Sequence, residues 1–181
     1  MSKVKGNALV AQSGGPTAVI NASACGVIQQ AQKQSGITGV FGAHNGILGV
    51  LREELFDIGR EDAKTVDRLR TTPSAALGSW RHKLKKLEES RADYERVLEV
   101  FRAHDIRYFF YAGGNDSMDT ANKVAALARE RGLDLIGVGV PKTIDNDVGD
   151  SEFQLIDHTP GYGSVARYWS HIVQCANEEN R

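Results

Sequence analysis

The sequence is poor in cysteine and has no long apolar run, and each absence excludes a class of protein. Only Cys25 and Cys175 occur among its 181 residues, which is too few for a disulfide framework. Both lie in helical patterns, so we expect buried free thiols and a reducing, cytoplasmic location. No apolar run approaches the roughly 20 residues that a membrane helix needs, and no apolar signal-peptide segment precedes the first strand pattern.

An excess of charge of one sign is also lacking. The 22 basic and 23 acidic residues give a formal net charge of −1. Such a balance provides no general attraction to nucleic acid or to an anionic membrane, so we expect neither as a partner. The five histidines lack the spacing of metal ligands, and no segment has the G-x-G-x-x-G spacing of dinucleotide-binding proteins.

What the sequence does contain is an alternation of strand-like and helix-like segments. Strands are predicted at 7–11, 37–41, 107–111 and 133–140, and helices at 17–33, 83–104, 117–131 and 161–177. Gly42, Gly46 and Gly49 punctuate a predicted loop region after the second strand. We therefore expect one α/β domain, residues 1–181, with a Rossmann-like three-layer architecture: a parallel sheet with helices on both faces. The apolar run 133–140 predicts a buried strand.

Three segments follow a predicted strand with a turn of glycine or polar residues. They are residues 12–17, 112–117 and 141–147. Glycine pairs allow backbone N–H groups to approach a phosphate closely, and a helix N-terminus adds unpaired donors and a partial positive charge. We expect the helix after the first turn to begin at Pro16 or Thr17, and Asp116 or Ser117 to cap the helix after the second. A single Gly-Gly pair would favour a tight turn alone, but two such turns together with the Lys142 loop favour phosphate binding.

The third of these segments carries the most chemistry. Lys142, Thr143, Asp145 and Asp147 place an ammonium, a hydroxyl and two carboxylates within six residues. Ligands of open parallel sheets bind outside the carboxyl ends of the strands, which is where this segment is predicted to lie. Loop-capping aspartates and a solvated lysine are the alternative interpretation. Taken together, the four side chains favour an anionic substrate and the transfer of a proton.

These motifs resemble those of the phosphofructokinase family, over essentially the whole chain but only the N-terminal portion of that family's subunit. Residues 141–147 are similar to the family's catalytic loop in the form typical of its pyrophosphate-dependent branch. Residues 113–117 resemble its GGDGS-type phosphate loop, and residues 77–81 its LGSxR segment. Residues 13–15, followed by Asn21, resemble its first phosphate-contacting turn.

The resemblance implies reversible phosphoryl transfer from pyrophosphate to fructose 6-phosphate with Mg²⁺, a reaction of glycolysis and gluconeogenesis. Asp145 would accept the proton of the sugar C1 hydroxyl. Thr143, Asp145 and Asp147 would bind the sugar phosphate. Lys142 would stabilise charge in the transition state as a point-charge phosphate binder.

On the donor side, the resemblance implies that four residues bind diphosphate: Gly14, Arg81, Gly114 and Ser117. Asp116 stands where ATP-using members have glycine, at the place of the α-phosphate of ATP, so it would exclude ATP by repulsion. Asn115 replaces the usual Asp at the Mg²⁺ position and adds no negative charge, so the metal would depend more on pyrophosphate oxygens. His82, beside Arg81, is interpreted as either structural or adjacent to the donor.

The resemblance also implies that the rest of the sugar-phosphate pocket lies beyond residue 181. We therefore expect these residues to be the donor part of a longer enzyme, a homodimer or homotetramer. Two alternatives remain open. One is a lipid or NAD kinase, which shares a GGDG-like loop but does not match residues 142–147. The other is a non-catalytic or regulatory fragment that binds a phosphate ligand.

Overall fold

The computed structural model describes residues 4–81, 84–85, 87–150, 154–155 and 158–180. Their main sheet has five strands in the order β3-β2-β1-β4-β5. The strands are β1 (Gly6–Gln12), β2 (Ile37–Ala43), β3 (Leu55–Asp57), β4 (Ile106–Gly113) and β5 (Ile136–Pro141). All neighbours are parallel except β3, which is antiparallel to β2. A separate antiparallel ribbon joins β6 (Gly149–Asp150) to β7 (Gln154–Leu155).

Helices cover both faces of the sheet, as predicted. They are α1 (Ala18–Ala31), α2 (Ile47–Arg52), α3 (Ala63–Arg68), α4 (Arg91–Ala103), α5 (Asn115–Glu130) and α6 (Tyr162–Glu179). Side chains of β1 alternate between the faces, as in any strand. Ala8 and Val10 pack in one apolar cluster with residues of α1, whereas Leu9 belongs to a second cluster with residues of α4 and α5. The Rossmann-like three-layer expectation is confirmed.

The strand order brings three carboxyl ends together. Gln12 at the end of β1 is level with Ala112 of β4, and Gly113 is level with Pro141 of β5. The chain passes from β1 to β2 on one side and then returns to place β4 on the other side of β1. Ligands bind preferentially at such a reversal of strand order.

The prediction of a buried strand at 133–140 was wrong. The strand begins at Ile136, and among the described residues it pairs with β4 alone. Ile136 is 44% exposed and Val138 is 37% exposed. The thiol prediction was half right, since Cys25 is buried but Cys175 in α6 is exposed. An apolar sequence pattern shows which side of a strand or helix is apolar, but it does not show whether another element covers that side.

The region predicted as loop after residue 41 holds regular structure. It contains α2, β3, a 3₁₀ turn (Ile58–Arg60) and α3, whose N-terminus is capped by Asp62 through a 2.8 Å bond from Thr65 N. The helix predicted at 83–104 begins only at Arg91. Residues 83 and 86 of that prediction lie outside the described residues. Within the described part of the chain, no helix combines the length and the apolar character needed to cross a membrane.

Candidate functional site

A cavity of about 600 Å³ opens where β1, β4 and β5 end. Its walls come from the three loops that follow these strands and from one residue of a fourth segment. The lining residues are Ser13, Gly14, Gly15, Pro16, Thr17, Arg81, Gly114, Asn115, Asp116, Ser117, Lys142, Thr143, Ile144 and Asp145. Nine of the ten site residues that the sequence predicted therefore line one cavity.

The first loop is a glycine turn held from two sides. Gly14 has φ +80°, a conformation that strongly favours glycine. Ser13 N donates to the Ala112 carbonyl at 2.9 Å, which ties this loop to the end of β4. The helix that follows begins at Ala18, one residue after the predicted start. Thr17 makes no side-chain cap, and its buried Oγ1 has no partner among the described residues.

The second loop passes into α5 earlier than predicted. The helix begins at Asn115 with Gly114 as its N-cap, so Asp116 and Ser117 lie in the first turn instead of capping it. An acidic side chain in the first turn interacts favourably with the helix dipole. A Cβ on Gly113 would collide with Ser117 Oγ, so glycine is required for this close approach. The first turn of α5 therefore forms the wall of the cavity.

The third loop holds Asp145 through a reciprocal pair of hydrogen bonds with Thr143. Thr143 Oγ1 donates to Asp145 Oδ2 at 3.1 Å and accepts from Asp145 N at 3.1 Å. Asn146, with φ +54°, accepts from Thr159 N at 2.9 Å, and Thr143 N donates to the Pro160 carbonyl at 2.9 Å. The segment 159–160 thus braces the loop from behind and fixes the orientation of the carboxylate.

Lys142 lies almost buried between the first and third loops. It is 7% exposed, its backbone N donates to the Gly113 carbonyl at 2.9 Å, and its ammonium donates to the Gly15 carbonyl. Burial lowers the pKa of Lys142, the charge of Arg81 lowers this pKa further, and Asp145 opposes the shift. A bound anion would offset the effects of burial and of Arg81 on the pKa of Lys142, because it would neutralise two neighbouring cations.

Arg81 reaches the cavity from a segment outside the sheet. Its Nη2 lies 3.4 Å from the position that a Cβ on Gly15 would occupy. The ammonium of Lys142 lies 3.5 Å from the corresponding position on Gly14. The two cations therefore lie over the same glycine turn, as a diphosphate site requires. His82, the next residue, lies outside the described residues.

Asp147 is the predicted site residue that does not line the large cavity. It lines a smaller neighbouring cavity of about 170 Å³. Asn115, Lys142 and Thr143 contribute to both cavities, as does Gly114. Asp147 thus lines a different cavity from Asp116 and Arg81, and the two cavities share lining residues.

Tyr111, the last residue of the strand predicted at 107–111, supports the glycine loops from below. Its hydroxyl accepts from Ile47 N at 3.3 Å and also interacts with Ser13 and Ser117. Burial raises the pKa of this phenol. A tyrosine near the end of an apolar strand, two residues before a Gly-Gly pair, was the available signal for this role.

The oxygen atoms on the large cavity suit a hard cation. Asn115, Asp116 and Asp145 present one amide and two carboxylates. Among the described residues, no group of three or more His, Cys, Asp or Glu side chains could hold a metal ion. Mg²⁺ is commonly held by one or two carboxylates together with substrate phosphates and water. The residues present therefore fit a magnesium ion that binds together with a phosphate ligand.

Comparison with known proteins shows which family this chain resembles. The phosphofructokinase family pattern matches residues 7–180. The chain is 53% identical over 163 residues to a pyrophosphate–fructose 6-phosphate 1-phosphotransferase of Halomonas elongata, covering 90% of this chain and 38% of that protein. It is 55% identical over 176 residues to the protein of the same name in Methylococcus capsulatus, covering 97% and 41%.

Solved structures agree with these matches. The crystal structure of the pyrophosphate-dependent phosphofructokinase of Nitrosospira multiformis is similar with a TM-score of 0.79 and 50% identity, covering 90% of this chain and 38% of that one. The phosphofructokinase of Saccharomyces cerevisiae, at 20% identity and a TM-score of 0.74, shares the fold. The chain thus spans about two fifths of the length of the curated relatives that it matches.

Proposed function

The chain belongs to the phosphofructokinase family, and on that premise we propose that it carries the phosphoryl-donor half of a pyrophosphate-dependent enzyme. The reaction is the reversible transfer of a phosphoryl group from pyrophosphate to the C1 hydroxyl of fructose 6-phosphate. The names of the 53–55% identical relatives support the two substrates. In this proposal residues 1–181 form the donor domain of a cytoplasmic, glycolytic homodimer or homotetramer.

One observation carries the proposal: a candidate base, two cations and two glycine turns line a single cavity. Arg81 comes from a segment separate from the loop that carries Lys142 and Asp145, yet all three residues lie on the wall of this cavity. Enzymatic phosphoryl transfer depends mainly on positioning and on stabilisation of charge, with little covalent chemistry for the protein to perform. A cavity with fixed cations beside an oriented carboxylate supplies both requirements.

Asp145 is assigned the role of proton acceptor. Its Oδ2 accepts from Thr143 Oγ1, so we assign Oδ1 to the attacking sugar hydroxyl. As the C1 oxygen attacks the phosphorus, its proton passes to Asp145 and the bond to the leaving phosphate breaks. Thr143 keeps the carboxylate in place, and Asp147, on the smaller cavity, orients the sugar.

The donor is held by groups on the other side of the cavity. The backbone N–H groups of Gly14 and Gly114 and the hydroxyl of Ser117 contact diphosphate oxygens. Lys142 and Arg81 stabilise the charge that develops on the transferred and leaving groups. Asn115 would hold Mg²⁺, which supplies further neutralisation of phosphate charge when bound.

Asp116 is assigned the discrimination between pyrophosphate and ATP. Its carboxylate lines the donor cavity from the first turn of α5. A nucleotide would have to place a third phosphate near this charge, and like charges in a shielded site cost several kcal/mol. Pyrophosphate has no third phosphate and avoids this repulsion.

The names of the relatives do not favour the second candidate, a phosphate-binding fragment without catalysis. Turnover and binding separate the two. The full-length protein with fructose 6-phosphate, Mg²⁺ and either pyrophosphate or ATP should form fructose 1,6-bisphosphate with pyrophosphate only. Pyrophosphate binding in calorimetry without turnover would favour the second candidate, and turnover with ATP alone would reject the assignment of the donor.

A further inference from the structure

Two fully buried amides, Gln12 and Asn21, lie beneath the donor loop and have no part in the chemistry proposed above. Both side chains are 0% exposed. Gln12 is the last residue of β1 and Asn21 lies in the first turn of α1, so they flank the glycine turn at 14–15. Gln12 Nε2 donates to Asn21 Oδ1 at 3.0 Å and to the Ile20 carbonyl at 3.1 Å.

The remaining bonds of these amides go to one distant segment, residues 72–81, which we call the strap. Asn21 Nδ2 donates to the Thr72 carbonyl at 2.9 Å, and Asn21 Oδ1 accepts from Ala76 N at 2.8 Å. Gln12 Oε1 accepts from Leu77 N at 3.0 Å. Buried amides are costly unless both ends are paired, and here both ends of each are paired, mostly with the strap.

The strap leads directly to the donor cavity. Ser79 Oγ donates to the Gly14 carbonyl, and Ser13 Oγ donates to the Trp80 carbonyl at 3.4 Å. The next residue is Arg81, on the cavity wall. The two amides hold the strap at residues 72–77, and the glycine turn holds it at residues 79–80. These attachments fix the position of the Arg81 backbone.

We propose that Gln12 and Asn21 are positioning residues for diphosphate: they hold the strap so that Arg81 lies over the Gly14–Gly15 turn before the ligand arrives. The proposal rests on the proposed function, because it assumes that Arg81 binds the donor. Arginine has large conformational freedom, and a guanidinium fixed in advance loses less entropy on binding. The alternative is that the amides only stabilise the fold.

The test uses the full-length protein with Asn21→Ala, Asn21→Asp and Ser79→Ala. Asn21→Ala should raise the KM for pyrophosphate about tenfold, the equivalent of one weakened charge-assisted hydrogen bond, while the KM for fructose 6-phosphate changes less. Asn21→Asp keeps the acceptor for Ala76 N but turns a buried carboxylate oxygen toward the Thr72 carbonyl, so its effect should be at least as large. Ser79→Ala removes the second attachment without emptying a buried site.

A double-mutant cycle separates positioning from stability. If Asn21 acts through Arg81, then Asn21→Ala should have little further effect on the pyrophosphate KM of an Arg81→Ala enzyme. Asn7→Ala is the matched control, because Asn7 is an amide at the other end of β1 that donates to the His104 carbonyl at 2.8 Å. It should leave both KM values unchanged. Additive effects, or an Asn7→Ala enzyme with the same KM change, would overturn the proposal.

Hydrogen exchange without ligand provides a readout that does not depend on turnover. Asn21→Ala should speed exchange in peptides covering residues 72–81, whereas Asn7→Ala should not. Unchanged exchange there would also overturn the proposal. A wild-type protein that neither binds nor uses pyrophosphate would overturn the proposed function and this inference with it. A wild-type protein that uses pyrophosphate, with an unchanged KM in the Asn21 variants, would overturn this inference alone.

Discussion

The centre of the sheet and its β5–α6 side differ in how far the described residues bury them. Helix α1 follows the loop of β1 and has six buried residues, whereas α6 follows the loop of β5 and has none. Val10 of β1 is 1% exposed, but Val138 of β5 is 37% exposed. Both halves carry site residues. The donor loops thus stand on a complete core, and the loop with the candidate base stands on a sheet edge.

This difference indicates that the two halves of the site are held in place by different parts of the chain. The glycine turns are held by contacts within residues 4–81 and 106–117, to which Lys142 adds bonds to the Gly15 and Gly113 carbonyls. The loop with Asp145 is braced by residues 159–160, next to the exposed helix α6. Variants of the centre should therefore change folding and donor binding, and variants of the β5 side should change the chemical step.

The largest expected effect is on the chemical step. Asp145→Ala should reduce kcat by about 10²–10⁴-fold, because the attacking hydroxyl loses its proton acceptor. The KM for pyrophosphate should change little, since the proposed contacts to the donor are made by other residues, including Gly14, Arg81 and Lys142. Steady-state kinetics of the full-length protein measures both. Asp134→Ala offers an acidic control, because Asp134 is exposed and lies outside the lining of either cavity, and an equal fall in kcat there would contradict the assignment.

The next prediction compares how much two aromatic side chains contribute to the free energy of unfolding. Phe101 is 0% exposed in the core, so Phe101→Ala should lower the free energy of unfolding by about 3–5 kcal/mol. Trp169 is 58% exposed on α6, so Trp169→Ala should change it by less than about 0.5 kcal/mol. Urea denaturation of residues 1–181 measures both. A large loss from Trp169→Ala would show that the two regions differ less than their exposure indicates.

A smaller effect should appear in donor choice. Asp116→Asn removes the repulsive charge while keeping the shape, and should improve the kcat/KM for ATP relative to pyrophosphate by about tenfold or more. Asp119→Asn is the control on the same helix, because Asp119 pairs with Lys123 instead of lining the cavity. Parallel assays with the two donors measure the ratio. An unchanged ratio in Asp116→Asn, or an equal shift in both variants, would contradict the repulsion argument.

The smallest effects compare two glycines. Gly113→Ala should destabilise the chain by about 1–3 kcal/mol, because the new methyl collides with Ser117 at the centre of the site. Gly163→Ala in α6 has open space around it and should stabilise the helix by about 0.5–1 kcal/mol. Thermal denaturation shows the sign of each. A stabilising Gly113→Ala would contradict the close approach of the two loops.

The sequence predicted which residues line the site better than it predicted which residues hold them in place. Loops after parallel strands must converge at one edge, so Gly14, Asp116 and Lys142 could be placed together from the alternation alone. The roles of Gln12 and Asn21 could not be predicted, since their partners at 72–77 are more than 50 residues away and leave no local pattern. Helix α2 has six residues, too few to show a clear helical period.

The exposure of β5 could not be predicted for a different reason. The run 133–140 has the composition of a strand with both faces covered, but composition does not specify the covering element. Ile136 and Val138 are apolar whether or not a neighbour is present. The same holds for the amphipathic helix α6 and for Cys175. Local pattern specifies the conformation, and tertiary partners decide burial.

The pairing of β1 with both β2 and β4 has a consequence for synthesis on the ribosome. Strand β2 follows β1 after about 25 residues, but β4 follows only after more than 90. At about 5–20 residues per second, the second edge of β1 waits roughly 5–20 seconds for its partner. During that interval the backbone N–H and C=O groups that β1 later pairs with β4 have no strand partner in the nascent chain. The central strand of the sheet therefore completes its pairing only after residues 106–113 are made.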